Sequence, residues 1–251
     1  MAYHRPDDRY GDAPSAVIDG TDEYVWLPGG SLLHTVDARV GEQAVTGAEI
    51  IGYDAQVCTS VQRLYVERAA VDEVSSRLAE ALASRRAGDP RDPGSFIGPV
   101  ISPAEADRIE DWIRRAVDGG ARVVAGGGRE GSVIQPTVLA DVDPRMDVMC
   151  REIFGPVVSI RPFDDLDAAI NEANDTPYGL AAGIFTGSLD RALHAAAELR
   201  MGSVHINETS SSRVDLQPYT GVKLSGYGTE GPRYAIREMT EETLITVGPT
   251  A

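Results

Sequence analysis

Apolar residues recur along most of this chain at two spacings, one typical of helices and one typical of short buried strands. The helical spacing predicts helices at residues 71–86, 102–117, 166–173 and 190–199. Short apolar runs predict strands at residues 63–66, 122–125, 133–139, 157–160, 181–185 and 203–206. Because predicted strands and helices alternate, the pattern favours an α/β fold with a mainly parallel sheet flanked by helices.

The two ends of the chain differ from this pattern. Residues 1–35 are rich in Asp, Gly and Pro and carry only short apolar pieces, so we interpret them as an irregular, divergent N-terminal segment. Residues 36–51 have helical spacing, and residues 242–247 are typical of a strand. The sequence therefore predicts one main domain at residues 36–241 and a strand-like tail at residues 242–251.

The composition limits the possible function classes. The chain has 251 residues and a formal net charge of −16, whereas nucleic acids and anionic membrane surfaces attract basic proteins. It has no run of about 18 apolar residues that would span a membrane and no apolar segment near Met1 that would serve as a secretory signal. Its two cysteines and four histidines lack metal-ligand spacing, so we expect no metal and, as the simplest compartment, a reducing cytoplasm.

One cysteine lies in a setting that suits a nucleophile. Cys58 stands between Gln56 and Thr59, just before the predicted strand at residues 63–66. The attacking form of cysteine is the thiolate, which needs partial exposure and surroundings that favour an anion. Taken alone, a cysteine is more often an inert packing residue, which is how we interpret Cys150.

A second motif, Arg151-Glu152-Ile153-Phe154-Gly155-Pro156-Val157-Val158, leads into another predicted strand. A carboxylate such as that of Glu152 can accept hydrogen bonds from two hydroxyl groups, as the binding of a ribose requires. Without its neighbours in the motif, Glu152 would be interpreted as a surface acid before a strand.

The two motifs together resemble the nucleophile loop and the cofactor-contacting loop of the aldehyde dehydrogenase superfamily. Three later segments are similar to further motifs of that family: Asn174–Ala182, Gly202–Asn207 and Pro218–Gly228. The resemblance extends over residues 36–247. It implies the catalytic-domain type of α/β fold, with a strand used for oligomerisation at its C-terminal end.

The resemblance also implies roles for individual residues. Cys58 would be the nucleophile that forms a thiohemiacetal, and then a thioester, with an aldehyde. Glu152 would hold the nicotinamide ribose hydroxyls, Phe154 would pack beside the nicotinamide ring, and Asn207 would lie beside the substrate. The cofactor would be NAD or NADP, the substrate a small aldehyde, and the protein a homo- or hetero-oligomer.

The sequence departs from the family pattern before Cys58. Ala55 replaces a family glycine, and Asp8 occupies the position of the glutamate general base, where a side chain shorter by one methylene would displace the catalytic water. The family's nucleotide-binding domain has no counterpart in these residues. This predicts a truncated or split dehydrogenase that is active only together with a partner chain supplying that domain.

Two other functions remain open on the sequence. The changes at Asp8 and Ala55 favour a non-catalytic interaction subunit that keeps the fold, and fast alkylation of Cys58 would oppose that interpretation. Alternatively, Cys58 alone would hydrolyse esters or thioesters without a cofactor. Loss of ester hydrolysis in Cys58→Ala would support that alternative.

Overall fold

The computed structural model describes residues 23–27, 31–35 and 56–249. Its strands are β1 (Glu23–Leu27), β2 (Ser31–Thr35), β3 (Arg63–Glu67), β4 (Arg122–Ala125), β5 (Arg129–Glu130), β6 (Val133–Ile134), β7 (Thr137–Ala140), β8 (Val157–Phe163), β9 (Ala181–Phe185) and β10 (Ser203–Ile206). Its helices are α1 (Val71–Ala83), α2 (Pro103–Asp118), α3 (Asp147–Cys150), α4 (Leu166–Asn174), α5 (Leu189–Glu198) and α6 (Pro232–Glu238).

Most of the strands form one sheet in the order β10-β9-β1-β2-β3-β8-β7-β4. Six strands run in one direction: β10, β9, β2, β3, β8 and β7. Although β1 lies between β9 and β2 in this order, these two strands also pair directly and in parallel. Strand β1 is antiparallel to both of its neighbours, and β4 is antiparallel to β7. The predicted α/β fold with a mainly parallel sheet is confirmed.

Strands β3, β7, β8 and β9 are largely buried on both faces, and alternate side chains of β3 contribute to separate clusters. Leu64 and Val66 of β3 pack with Leu78 of α1, whereas Tyr65 belongs to the cluster that contains Ile109 of α2. This is the alternation expected of a strand between two helical layers. Helix α1 therefore covers one face, while α2, α4 and α5 cover the other.

Side-chain caps fix where the helices of the second layer begin. The hydroxyl of Ser102 accepts a hydrogen bond from the backbone N–H of Glu105 at 3.2 Å, and Pro103 occupies the first turn of α2. This is the start that the sequence predicts. Asp165 and Ser188 cap α4 and α5 in the same way.

The structure differs from the predicted elements in three places, two of which lie within the sheet. Strands β1 and β2 lie within residues 1–35, where the sequence has only short apolar pieces, and they pair with each other as well as with β9 and β3. The predicted strand at residues 133–139 is divided into β6 and β7, because Pro136 between them has no N–H to donate.

The predicted strand at residues 242–247 is not formed. Residues 240–249 have no regular structure, and Leu244, Ile245 and Val247 are 89%, 80% and 88% exposed. A strand is stabilised by backbone hydrogen bonds to a neighbour, and no strand of the described ranges pairs with these residues.

Several expectations lie outside the described residues, namely the helix at residues 36–51, Asp8 and Ala55. Within the described part of the chain, no helix is long and apolar enough to cross a membrane. In the same residues, no group of three or more His, Cys, Asp or Glu side chains is arranged to hold a metal ion.

Leu78→Ala tests the packing between α1 and the sheet. Leu78 is fully buried, so we expect the free energy of unfolding to fall by about 2–5 kcal/mol in urea denaturation, because a cavity replaces its side chain. The matched control is Leu193→Ala on α5, whose leucine is 55% exposed and whose loss should cost less than about 0.5 kcal/mol. Equal losses in the two variants would contradict this packing.

Candidate active site

The two sequence motifs meet at one edge of the sheet. Cys58 precedes β3 and Glu152 precedes β8, and these strands are parallel neighbours with Arg63 opposite Ser159. Loops that lead into adjacent parallel strands lie at the same edge of a sheet. Cys58 and Glu152 accordingly line one cavity of about 190 Å³.

The side chain of Gln62 fastens these two loops to each other. Its Nε2 atom donates to the carbonyl oxygens of Arg151 and, at 3.4 Å, of Val148. Its Oε1 atom accepts from the backbone N–H of Ile153 at 3.1 Å. Gln62 is buried, so these bonds satisfy polar groups that would otherwise be buried without a partner. They fix the loop that carries Glu152 against the strand that follows Cys58.

Arg108 of α2 gives the Glu152 loop a second support. Its Nη2 atom donates to the carbonyl oxygen of Ile153 at 2.7 Å and to the carboxylate of Glu105 at 2.6 Å. Its guanidinium also lies 4.4 Å from the centroid of the Trp112 ring. Partial burial raises the pKa of Glu152 above its usual range, while the nearby charge of Arg108 opposes that shift.

Cys58 is exposed and borders cavities in two directions. The first cavity is the one that it shares with Glu152 and Tyr178. The second has a volume of about 540 Å³ and is lined by Arg213, Tyr219 and a run of serines. The thiol can therefore contact two different molecules, one from each cavity.

Phe154 has an uncommon backbone conformation beside this thiol. Its φ of +49° lies in the left-handed region, which costs a non-glycine residue of order 1 kcal/mol or more. Its ring is 40% exposed and lines a narrow cleft together with Cys58 and Glu152. The carboxylate of Glu152 could accept hydrogen bonds from two ribose hydroxyls, and the exposed ring of Phe154 could pack on a heteroaromatic ring. The pair therefore fits the nicotinamide–ribose half of a dinucleotide.

The larger cavity contains two residues to which the sequence assigned no role. The hydroxyl of Tyr219 lies 3.1 Å from the sulfur of Cys58. The guanidinium of Arg213 lies 4.5 Å from the centroid of the Tyr219 ring and 3.7 Å from the carboxylate of Glu230. The only sequence signal for Tyr219 is its place in the motif Pro218–Gly228.

The lysine and serine of that motif hold the preceding turn in place. The Nζ atom of Lys223 donates to the carbonyl oxygens of Asn174 at 2.8 Å and Thr176 at 3.2 Å. The Oγ atom of Ser225 accepts from the N–H of Gly179 at 2.8 Å. Burial lowers the pKa of Lys223. These contacts dock one motif on the other.

The structure brings Cys58, Glu152 and Phe154 together but gives Asn207 a different position. The side chain of Asn207 accepts from the N–H of Thr186 at 2.7 Å and donates to its carbonyl oxygen at 3.2 Å, where β9 and β10 end. Asn207 is not among the described residues that line the cavities around Cys58. The expected substrate contact of Asn207 therefore has no support in this geometry.

A sequence profile of the aldehyde dehydrogenase family matches residues 34–245, which is most of the chain. The chain belongs to the aldehyde dehydrogenase family. Cys58, Glu152, Phe154, Arg213 and Tyr219 all lie within the matched region.

Individual relatives agree with the family assignment. The chain is 45% identical over 192 residues to 3-sulfolactaldehyde dehydrogenase of Priestia aryabhattai, covering 76% of this chain and 40% of the relative. It is 38% identical over 236 residues to succinate-semialdehyde dehydrogenase [NADP(+)] of Deinococcus radiodurans, covering 93% and 48%. The crystal structure of aldehyde dehydrogenase 21 from Physcomitrella patens with the reaction product succinate superposes with a TM-score of 0.75 at 39% identity, covering 78% and 41%.

The chain thus spans less than half of the length of the curated relatives that it matches. More than half of each complete relative lies outside the match.

Gln62→Leu tests the connection between the two loops. Leucine leaves the N–H of Ile153 without its acceptor, and an unsatisfied buried group costs about 1–3 kcal/mol. We expect the Ile153 amide to exchange with deuterium at least tenfold faster, as measured by NMR or mass spectrometry, while amides of α4 keep their rates. Gln135→Leu, at an exposed glutamine, is the control and should change neither. Unchanged exchange at Ile153 in Gln62→Leu would contradict the proposed connection.

Proposed function

We propose that this chain carries the catalytic cysteine of an NAD(P)-dependent aldehyde dehydrogenase and that its substrate is an aldehyde with an anionic group. The observation that carries the proposal is the position of the Cys58 thiol between two cavities, one lined by Glu152 and one by Arg213. Family membership supplies the reaction class, and the residues around the thiol supply the details.

Cys58 would react as a nucleophile in two stages. Its thiolate adds to the carbonyl carbon of the aldehyde, and the resulting thiohemiacetal loses a hydride to become a thioester. Water then cleaves the thioester, which releases the carboxylic acid and restores the thiol. The base that activates this water is not assigned to a described residue, and Asp8 remains the candidate that the sequence suggests.

Glu152 and Phe154 would hold the nicotinamide half of the cofactor. The carboxylate of Glu152 would accept the ribose hydroxyls, and the exposed ring of Phe154 would limit the movement of the nicotinamide. When bound, NAD or NADP supplies the acceptor for the hydride. The name of the Deinococcus radiodurans relative specifies NADP(+), and we propose that this chain uses NAD or NADP.

Arg213 would select the substrate by its charge. Its guanidinium lines the larger cavity next to Cys58, where its only close acid in the described residues is Glu230 at 3.7 Å. A guanidinium can bind a carboxylate or a sulfonate with two parallel hydrogen bonds. The relatives named for 3-sulfolactaldehyde and succinate semialdehyde act on aldehydes that carry such groups.

The adenosine half of the cofactor would need further residues. We propose that they come from a partner chain or from another segment of the enzyme, corresponding to the part of the relatives that lies outside the match. The assembly would then be a homo- or hetero-oligomer.

Cys58→Ala tests the nucleophile without requiring the cofactor. We expect the wild-type chain to hydrolyse p-nitrophenyl acetate, with release of p-nitrophenol followed at neutral pH, and the variant to lose at least about 90% of that rate because no thiolate attacks the ester. Cys150→Ala is the matched control: Cys150 lines the same cavity as Cys58, but its Sγ atom donates to the carbonyl oxygen of Arg145, so the rate should be kept.

Two results would change the conclusion. If Cys58→Ala retained hydrolysis, the thiol would not be the nucleophile. The second result is a wild-type chain that neither hydrolyses the ester nor is alkylated faster at Cys58 than at Cys150. A non-catalytic interaction subunit would then be the better interpretation.

Arg213→Gln tests the anion selectivity. Succinate semialdehyde should protect Cys58 from iodoacetamide by reversible addition, and the variant should need about three to ten times more of it, since a partly exposed charge-assisted contact is lost. Butanal has the same number of carbons but no carboxylate, so its protection should not change. Protection is read from the alkylated Cys58 peptide by mass spectrometry. An equal shift for both aldehydes would count against a charge-based role.

A further inference from the structure

Tyr219 is held close to the proposed nucleophile by contacts on several sides. Its hydroxyl oxygen lies 3.1 Å from the sulfur of Cys58, although 161 residues separate the two in sequence. Its backbone N–H donates to the carbonyl oxygen of Glu230 at 3.1 Å, and its carbonyl oxygen accepts from the N–H of Glu230 at 2.7 Å. Arg213 packs over its ring. The phenol therefore has a defined position before any substrate binds.

The direction of the hydrogen bond follows from the chemistry of the two groups. A thiolate has no proton to donate, so the phenol must be the donor when Cys58 is ionised. Burial, followed by the hydrogen bond to Cys58, raises the pKa of Tyr219 above its usual range. The hydroxyl consequently keeps its proton at neutral pH and remains available as a donor.

We propose that Tyr219 is a positioning residue for Cys58: its hydroxyl donates a hydrogen bond to the thiolate and holds the sulfur between the two cavities. The inference rests on the proposed function, in which Cys58 is the nucleophile. The contact itself, however, has consequences that can be measured on the thiol without aldehyde or cofactor.

The hydrogen bond has two opposite effects on the reactivity of Cys58. It favours the anionic form of the sulfur relative to a site without the hydroxyl, and a net hydrogen bond of about 1–1.4 kcal/mol corresponds to a change of about five- to tenfold in that equilibrium. It also makes each thiolate less nucleophilic, because nucleophilicity falls with basicity with a coefficient of about 0.4–0.5. Removing the hydroxyl should therefore slow the alkylation of Cys58 at neutral pH and accelerate it at high pH.

Tyr219→Phe is the test, because it removes the hydroxyl and leaves the ring for Arg213 to pack on. We expect iodoacetamide to react with Cys58 about two- to fourfold more slowly near neutral pH and about two- to threefold faster once the thiol is fully ionised, so that the two pH–rate profiles cross. Alkylation is measured on the Cys58 peptide by mass spectrometry, with the Cys150 peptide of the same sample as internal reference.

Tyr227→Phe is the matched control. It removes the same hydroxyl from a tyrosine that is 97% exposed, and its profile should coincide with that of the wild type. A role of Tyr219 limited to packing predicts no crossing, because phenylalanine packs in the same way. Coincident profiles for Tyr219→Phe and the wild type would overturn the inference.

The test separates this inference from the proposed function. If Cys58 reacts faster than Cys150 in both proteins with identical profiles, only the role of Tyr219 fails. If Cys58 is no more reactive than Cys150 in the wild type, the nucleophile itself is in doubt and the positioning role falls with it.

Discussion

The parallel pairing of β3 with β8 determines where the groups of the site lie, because the loops that precede these strands carry Cys58 and Glu152. A change of register by one residue would exchange the two faces of β3, burying Leu64 where Tyr65 now packs. The register is held by hydrophobic burial on both faces. Gln62 connects β3 to the Glu152 loop, because its buried side-chain amide donates to the carbonyl oxygen of Val148 and accepts from the N–H of Ile153.

The sequence is sufficient to predict the framework, because hydrophobic spacing and capping residues report local structure directly. The start of α2 follows from Ser102 and Pro103 alone. Strands β1 and β2 could not be predicted in this way, since their short apolar pieces give no periodic signal for the pairing of the two strands with each other, with β9 and with β3. Residues 242–247 show the opposite case: their sequence is typical of a strand, but they form none, because no neighbouring strand in the described residues pairs with them.

The resemblance to the aldehyde dehydrogenase family also points to Cys58, Glu152 and Phe154, because they lie in the segments that resemble its nucleophile and cofactor-contacting loops. It does not reveal the contact between Cys58 and Tyr219, which depends on how the segment after β10 returns toward the Cys58 loop. That return is fixed by the hydrogen bond from Ser210 to the carbonyl oxygen of Thr59 at 2.8 Å. Long-range contacts of this kind leave no periodic signal in the chain.

The two sides of Cys58 are built in physically different ways. On the side of Glu152, the loop is fixed by the buried amide of Gln62 and by Arg108 of α2, so its geometry belongs to the core of the fold. On the other side, Arg213 lies on an exposed loop outside regular structure. Loops tolerate substitution better than packed elements do. Substitutions on the Arg213 side would therefore disturb the fold less than substitutions on the Glu152 side.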